Sequence, residues 1–342
     1  MRPTLRDVAA KANVSFQLVS AVLSDKSYAR ASEETRERIK NAAKELGYVV
    51  NVNASRLRSG KSKIIGVLMD SDAPYSVRML VTELEKSFSS RNYNLMTAEA
   101  HNAPESLYRS FLSLKKNSVE AVILLALDYP ETDLQLKDVI TDQNSIITVN
   151  GKSNPQHPHI DDNIEQGIEL AVDHLKKSGC RNIALLCADT QVMHYSISRR
   201  INGFKAVEKD GKVIMIDLGE SGQPGTMSGD IRKVISEHII PDNIDGVIAS
   251  NDYVAAILEK ELMSIGKKIP EDVAIIGFDD LPVCQCMPTT LSSITFNRSL
   301  IAETTADTVM SMLKNKKYPQ RQSISAKLII RNSTLKNKEN NK

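Results

Sequence analysis

From Lys63 onward, apolar runs of strand length alternate with helical stretches, and this alternation constrains the fold more than any other feature of the chain. Lys63–Met69 (KIIGVLM) is an unbroken apolar run of the kind a strand needs when both of its faces are buried. A helical stretch follows over Val77–Ser90, then strand Asn94–Ala98, a further helix and strand Ala121–Leu127. A helix near Asp133–Asp142 and strand Ser145–Val149 close the series. The pattern then restarts. Helix Glu165–Ser178 precedes strand Asn182–Cys187, Ser196–Lys209 precedes Lys212–Asp217, Ser228–Glu237 precedes Gly246–Ala249, and Val254–Ile265 precedes Val273–Phe278. Successive parallel strands need a helical crossover, so the chain is α/β with parallel, doubly wound sheets. Two similar halves imply two subdomains with a cleft between them, and ligands in such sheets bind beyond the carboxyl ends of the strands.

Residues 1–62 follow another rule. Thr4 and Asp7 form a Thr-x-x-Asp capping box, and Leu5, Val8, Ala9 and Ala12 then recur on one helical face. Asn13 tolerates the left-handed conformation of a tight turn, and Ser15 is placed to cap a second helix. In that helix Leu18, Val19, Val22 and Leu23 share one face, and Phe16, Gln17, Ser20, Ala21 and Ser24 the other. A third helix starts at Ser32, buries Ile39, Ala42, Ala43 and Leu46, and ends at Gly47. Two short helices around a tight turn with a third behind them read as a helix-turn-helix. Its free face of Gln, Ser and a leading aromatic suits base edges in a major groove. The competing reading is a small helical bundle whose outer face only meets water.

Charge separates the two parts. Residues 1–62 hold 12 Lys/Arg against six Asp/Glu, a net +6, while the remainder is net −4. A basic head on a slightly acidic body points to a polyanionic partner, double-stranded DNA, and charge by itself reads equally as a solvated charged surface. Asn51–Gly60 (NVNASRLRSG) joins the two parts. Asn51 can cap one short helix there, unstable unless DNA or a second chain supports it. Leu57 between Arg56 and Arg58 fits a minor-groove wedge flanked by phosphate-binding arginines. The segment reads equally as a flexible linker.

Several function classes are excluded. The chain has no GxGxxG or Walker sequence, no nucleophile elbow and no zinc spacing among its four cysteines, so neither an enzyme nor a cofactor or metal is expected. No run of 18 apolar residues and no signal-peptide core occur, so the expected location is cytoplasmic, at the nucleoid, with no membrane contact. In the cleft, Arg200, Asn251 and Asp279 stand at strand ends or helix starts. A planar fork, an amide and a carboxylate suit vicinal sugar hydroxyls. Tyr75 can supply a face for a pyranose, and Asn150 ends the fourth strand. Arg200 and Asp279 equally fit a salt bridge between subdomains, and Asp162 is as much a helix cap as a ligand contact.

The words T-L-R-D-V-A (Thr4–Ala9), N-V-S (Asn13–Ser15), S-E-E-T-R-E-R-I (Ser32–Ile39), E-L-G-Y (Glu45–Tyr48) and N-x-x-A-x-x-L (Asn51–Leu57) resemble the lactose-repressor/galactose-repressor family of bacterial transcription regulators. The likeness continues through Asp162-Asn163 with Gly167 and His174-Leu175, Arg200-x-x-Gly203-Phe204, Asn251-Asp252 and Gly277-Phe278-Asp279-Asp280. It ends with Leu291–Ile294 and Ile329–Thr334. The resemblance implies base-reading roles for Leu5, Phe16, Gln17 and Ala21, backbone contacts for Ser15, Ser20 and Tyr28, and intercalation by Leu57. It also implies a core similar to periplasmic sugar-binding proteins. Three departures bear on DNA: Ala21 replaces the usual Arg, the loop from Ser24 to Ser32 is about two residues longer than usual, with Arg30 added, and Val50 replaces a Pro. In the core, Phe296 stands where many relatives carry Gln.

The expected organisation is a helix-turn-helix domain over 1–50, a hinge helix or linker over 51–62, an effector-binding and dimerisation core over 63–334, and a disordered tail over 335–342. By the resemblance, 63–160 and 295–323 build the N-subdomain, and 161–294 and 324–334 the C-subdomain. The expected function is a homodimeric repressor that binds a pseudo-palindromic operator under control of a small-molecule effector, a carbohydrate. Control through a protein partner and a solute-binding sensor are the alternatives.

Overall fold

The computed structural model describes residues 3–23, 30–48, 61–71, 73–100, 104–127, 146–189, 195–217 and 224–336. It separates into two compact units, Met1–Ser62 and Lys63–Lys342. Tyr28, the segment Asn51–Gly60 and the helix expected near Asp133–Asp142 lie outside the described residues, as does most of the tail.

The first unit contains α1 (Leu5–Ala12), α2 (Phe16–Leu23) and α3 (Glu33–Glu45). Local chemistry sets each boundary. The Thr4 hydroxyl accepts from the Asp7 amide, and the Asp7 carboxylate accepts from the Thr4 amide at 2.7 Å, closing the capping box. Asn13 ends α1 with φ 51°, the left-handed conformation its short polar side chain tolerates. Ser15 Oγ accepts from Leu18 N at 3.3 Å, and Ser32 Oγ accepts from Thr35 N at 3.3 Å. Val8, Ala12, Val19, Val22 and Ile39 form the small core, and Arg38 Nε donates to the Ala12 carbonyl at 3.0 Å, tying α3 to the end of α1.

The second unit holds two six-stranded sheets of matching order. In the first, β2 (Asn94–Ala100), β1 (Ile64–Asp70), β3 (Ala121–Leu125), β4 (Ile146–Val149), β5 (His159–Asp162) and β11 (Arg321–Ile324) run side by side, all parallel. In the second, β7 (Lys212–Asp217), β6 (Ile183–Asp189), β8 (Gly246–Ala249), β9 (Ala274–Phe278) and β10 (Ser292–Phe296) are parallel, and β12 (Ala326–Ile329) closes the edge antiparallel to β10. The continuous burial of β3, β4, β8 and β9 is what helices on both faces require of central strands.

Helices α4 (Tyr75–Ser89), α5 (Pro104–Lys116) and α11 (Arg298–Leu313) cover the first sheet. Helices α6 (Ile164–Lys177), α7 (Tyr195–Val207), α8 (Pro224–Val234) and α9 (Asp252–Ser264) serve the second, with the short α10 (Val283–Cys286) beside α9. A π-helical turn, Ile235–Ile239, extends α8. Gly167 lets α6 lie against β9 and β10, since a Cβ there would come within 2.9 Å of Ile294 Cγ2.

The chain passes between the two lobes at single residues, Asn163, Asn297 and Ser325. These crossings fall a residue or two beyond the expected 160/161, 294/295 and 323/324. The strands keep pairing, Asp162 with Ile324 and Phe296 with Ala326, before the chain leaves. Two of the three crossing residues also start helices: Asn163 Oδ1 accepts from Gln166 N at 3.1 Å, and Asn297 Oδ1 accepts from Leu300 N at 3.0 Å.

Candidate functional site

The strand ends of the core converge on one cluster of polar side chains. Asn150 follows β4 and Asp162 ends β5, both in the first lobe, while Arg200 lies on α7 and Asp279 follows β9 in the second. Asn150 Nδ2 donates to Asp162 Oδ2 at 2.8 Å. Among the described residues, the other oxygens of both side chains, Asn150 Oδ1 and Asp162 Oδ1, are buried with no hydrogen-bond partner, and so is Arg200 Nε. The Arg200 side chain is only 9% exposed. Its guanidinium stacks 4.7 Å from the centre of the Phe278 ring, and Nη1 donates to the Ser196 carbonyl at 3.1 Å. Burial pushes the Asp162 carboxyl up to about 8, and the charges of Asp161 and Asp279 add to that, while Arg200 and Arg199 oppose it. Asp279 is also raised by burial, against the pull of Arg200, a hydrogen bond from Ser76 and the charge of Arg298. Ser76 belongs to α4 in the first lobe, so its bond to Asp279 spans the two lobes.

Backbone strain is concentrated at the same place. Asn150, Asp279 and Asp280 have φ of 52°, 97° and 50°, a region that costs a non-glycine residue about 1–3 kcal/mol unless its surroundings hold it. The β9–α10 turn is held at every residue. Asp279 N donates to the Ile294 carbonyl at 2.7 Å, and Arg298 Nη1 donates to the Asp279 carbonyl at 2.7 Å. Arg331 Nη2 pairs with Asp280 at 2.7 Å, and Leu281 N donates to Asp252 Oδ2 at 2.7 Å. Asp252 is fully buried, accepts from Ser293 Oγ at 2.6 Å and sits against Gly277, where a Cβ would meet Asp252 Oδ1 at 2.2 Å. Burial raises the Asp252 carboxyl to about 7.

Several motif residues of the core therefore have structural work. Ser333 Oγ donates to the Ile275 carbonyl at 2.6 Å, His174 Nε2 meets Thr334 Oγ1 at 2.8 Å, and Arg331 braces the Asp279–Asp280 turn. Asn251 is bound up as a cap: its Oδ1 accepts from Val254 N at 2.9 Å at the start of α9, leaving only its amide protons for a ligand. Tyr75 stands half exposed at the first position of α4, next to Ser76. Phe296 is buried in β10, paired with Ala326. Sequence reasoning left Asp162 open between cap and contact. Here Asn163 is the cap, and Asp162 joins the polar cluster.

Three groups near the cluster carried no separable signal in the sequence. Ser76 and Arg298 reach Asp279 only through tertiary packing. Arg199, beside Arg200 on α7, braces the first crossing: it pairs with Asp161, donates through Nε to Glu165 at 2.8 Å and through Nη2 to the Asp162 carbonyl at 3.0 Å. Two consecutive arginines thus serve different surfaces. A pair of adjacent arginines on a helix was the one clue available.

On the helix-turn-helix, Phe16 is 40% exposed, Gln17 and Ser15 are exposed, and Leu5 and Ser20 are half-buried. Ser15 also spends its hydroxyl oxygen on capping α2. Ala21 differs from the face expected for it. It is only 8% exposed and belongs to the three-helix core, because it lies three residues after Leu18 and one before Val22, at the edge of the buried stripe. Tyr28, Asn51, Arg56 and Leu57 lie outside the described residues.

A three-helix unit of helix-turn-helix form and a two-lobed α/β unit with a polar cleft define a DNA-binding protein with a ligand-binding core. The profile of bacterial regulatory proteins of the lacI family matches residues 4–51, and that of the periplasmic binding protein-like domain matches 172–334. The chain is 28% identical over 332 residues to the ribose operon repressor of Halalkalibacterium halodurans, covering 97% of each. It is 24% identical to the HTH-type transcriptional repressor PurR of Vibrio vulnificus, over 97% of this chain and 99% of that one. Among solved structures, the lac repressor dimer bound to operator and the anti-inducer ONPF superposes with a TM-score of 0.82 at 22% identity, over 98% of this chain and all of the other. The cellobiose complex of the transcriptional regulator CelR superposes at 0.67. Residues 4–51 thus resemble the lacI family of bacterial regulatory proteins, and the relatives matched along nearly the whole chain are transcriptional repressors rather than enzymes. No helix among the described residues is long and apolar enough to cross a membrane.

Proposed function

We propose that this repressor acts as a homodimer on a pseudo-palindromic operator, and that a carbohydrate effector in the interlobe cleft controls its affinity for DNA. Two helix-turn-helix units read the half-sites, with Leu5, Phe16 and Gln17 at base edges and Ser15, Ser20 and Tyr28 at the backbone. Ala21, with a methyl group in place of a long cationic side chain and most of it buried, leaves discrimination to Phe16 and Gln17. Asn51–Gly60 orders on the operator, with Arg56 at phosphates and Leu57 wedged in the minor groove. The protein works in the cytoplasm, on the nucleoid.

The observation that carries the reading is the convergence of Asn150, Asp162, Arg200 and Asp279, contributed by both lobes, with three buried polar atoms that find no partner among the described residues. Tyr75, next to the Ser76 that bonds Asp279, and the Asn251 amide stand at helix starts and complete the set assigned to the effector. A ligand that binds one interlobe arrangement more tightly than the other shifts the balance between them by its difference in affinity, and no further. The chain crosses between the lobes three times, each time through a single residue, so a change in lobe angle is focused at Asn163, Asn297 and Ser325.

The test is operator binding by purified wild type and Asp279→Ala, with and without a saccharide found to bind the wild type. The variant keeps operator affinity and loses the effector response. A normal response in Asp279→Ala overturns the assignment of the cleft.

A further inference from the structure

The amino ends of three neighbouring strands meet where the core unit begins. A residue in the left-handed region precedes each of them: Lys63 (φ 57°) before β1, Asn92 (φ 59°) before β2 and Ser118 (φ 58°) before β3. Two of the three follow helices, a usual place for this conformation. Asn92 N donates to the Ser89 carbonyl at 3.0 Å after α4, and Ser118 N donates to the Lys115 carbonyl at 2.9 Å after α5. Lys63 is instead the first residue of the core unit, directly behind the segment that joins it to the head. A lysine gains nothing locally from a positive φ, since its side chain cannot bond back to its own turn as that of Asn can.

Its neighbours hold it there. Lys63 N donates to Glu120 Oε1 at 2.7 Å, at the entry of β3. The Lys63 carbonyl accepts from Asn94 N at 2.9 Å, at the first residue of β2. Its ammonium lies 4.3 Å from the centre of the Tyr93 ring. Glu120 is fixed in turn, because its amide donates to the Ile64 carbonyl at 2.8 Å and its Oε2 accepts from the Tyr93 hydroxyl at 3.2 Å. Tyr93 is buried, and burial together with the Glu120 charge raises its hydroxyl to about 12, so the hydroxyl keeps its proton and stays a donor.

The two peptide planes that meet at the Lys63 Cα are therefore both fixed. The N–H belongs to the incoming 62–63 peptide and the carbonyl to the outgoing 63–64 peptide, and planes held on both sides leave φ and ψ without slack. The outgoing plane is part of the strand ladder. The incoming plane is held by a side chain, Glu120. The leverage at this point is large: a turn of about 30° at one residue moves an atom about 10 Å upstream, some three residues of extended chain, by about 5 Å.

We propose that Glu120, steadied by Tyr93, is a positioning residue that locks the incoming peptide at Lys63, so that movement of the first lobe passes into the joining segment instead of being absorbed there. The proposal rests on the reading of two heads bound together on one operator. The probe is a duplex selected from a random DNA pool by the wild-type full-length protein. Fluorescence anisotropy at matched salt compares its affinity with that of a scrambled duplex. Glu120→Ala lowers the ratio of specific to nonspecific affinity about 10-fold, the worth of one charge-assisted hydrogen bond. Tyr93→Phe removes only the hydroxyl that steadies Glu120 and lowers the ratio about 3-fold. Adding Lys63→Gly to Glu120→Ala regains core stability in urea, because glycine accepts the positive φ, yet leaves the ratio low, because the incoming plane is still unheld.

An unchanged ratio in a folded Glu120→Ala overturns the proposal and leaves the operator reading standing. If that variant does not fold, an unchanged ratio in Tyr93→Phe overturns it. A ratio that recovers along with stability in the double variant does so as well, since Glu120 then serves folding alone. A wild type that selects no sequence from the pool overturns the operator reading, and the proposal with it.

Discussion

The Asp162 carboxyl makes the core's stability depend on pH with a sign opposite to that of an ordinary paired carboxylate. In the unfolded chain this group releases its proton near 3.8; in the folded core burial holds the proton up to about 8. Between those values the native state binds more protons than the unfolded state, so stability falls as pH rises. The slope approaches 1.4 kcal/mol per pH unit while the two states differ by a full proton, and the whole window bounds the effect at about 6 kcal/mol. Opening of the lobes lets water reach the carboxylate, which makes about 2–3 kcal/mol the realistic difference between pH 5 and pH 8. Asp162→Asn tests this cleanly. The amide mimics the protonated carboxyl and can still accept from Asn150 Nδ2, the bond now 2.8 Å long, but it cannot ionise. The variant matches wild type near pH 4 and is more stable by about 2–3 kcal/mol at pH 8. The chain has no tryptophan, so urea unfolding is followed by circular dichroism, with the core transition fitted separately from that of the head. Stability curves for the two proteins that run parallel from pH 4 to pH 8 would refute the argument, since they would place an ionised Asp162 in the folded core at neutral pH.

Arg199 and the interdomain segment yield two further predictions. Arg199→Ala leaves the Asp161 carboxylate without its partner at the first crossing, where the arginine side chain is 13% exposed, and should destabilise the core by about 3 kcal/mol. Glu165→Gln, at a half-exposed partner of the same arginine, should change it by less than about 1 kcal/mol. Equal losses in the two variants, read by urea unfolding, would remove the brace at Asp161 from the explanation. Leu57→Ala should weaken binding to a specific operator by at least ~10-fold while nonspecific DNA binding changes little. Fluorescence anisotropy at matched salt that shows the same loss on both DNAs would exclude a wedge.

Much of this protein was legible in the chain by itself, because the deciding interactions are local. Thr4 with Asp7, Asn13, Ser15 and Ser32 set the ends of the head's helices within four residues of themselves, and the unbroken apolar runs at Ile64–Met69 and Ala121–Leu125 announce strands buried on both faces. The choice of Asn150, Arg200 and Asp279 as cleft residues came from their position at strand and helix ends, which periodicity reveals. Tertiary structure decided what periodicity cannot. The strands β5 and β10 to β12 are too short and too mixed to stand out, and they form because each finds a neighbour far away in sequence, as Ile324 does with Asp162. Ala21 has too small a side chain for its sequence to say which way it faces, and packing against the rest of the three-helix core buries it. Of two adjacent arginines, one reaches the cleft and the other the crossing because successive helix positions are about 100° apart and different lobes lie on the two sides. The proton on Asp162 is likewise a property of the assembled core alone: removal from water and the nearness of Asp161 and Asp279 exist only once β5, α7 and the turn after β9 have come together.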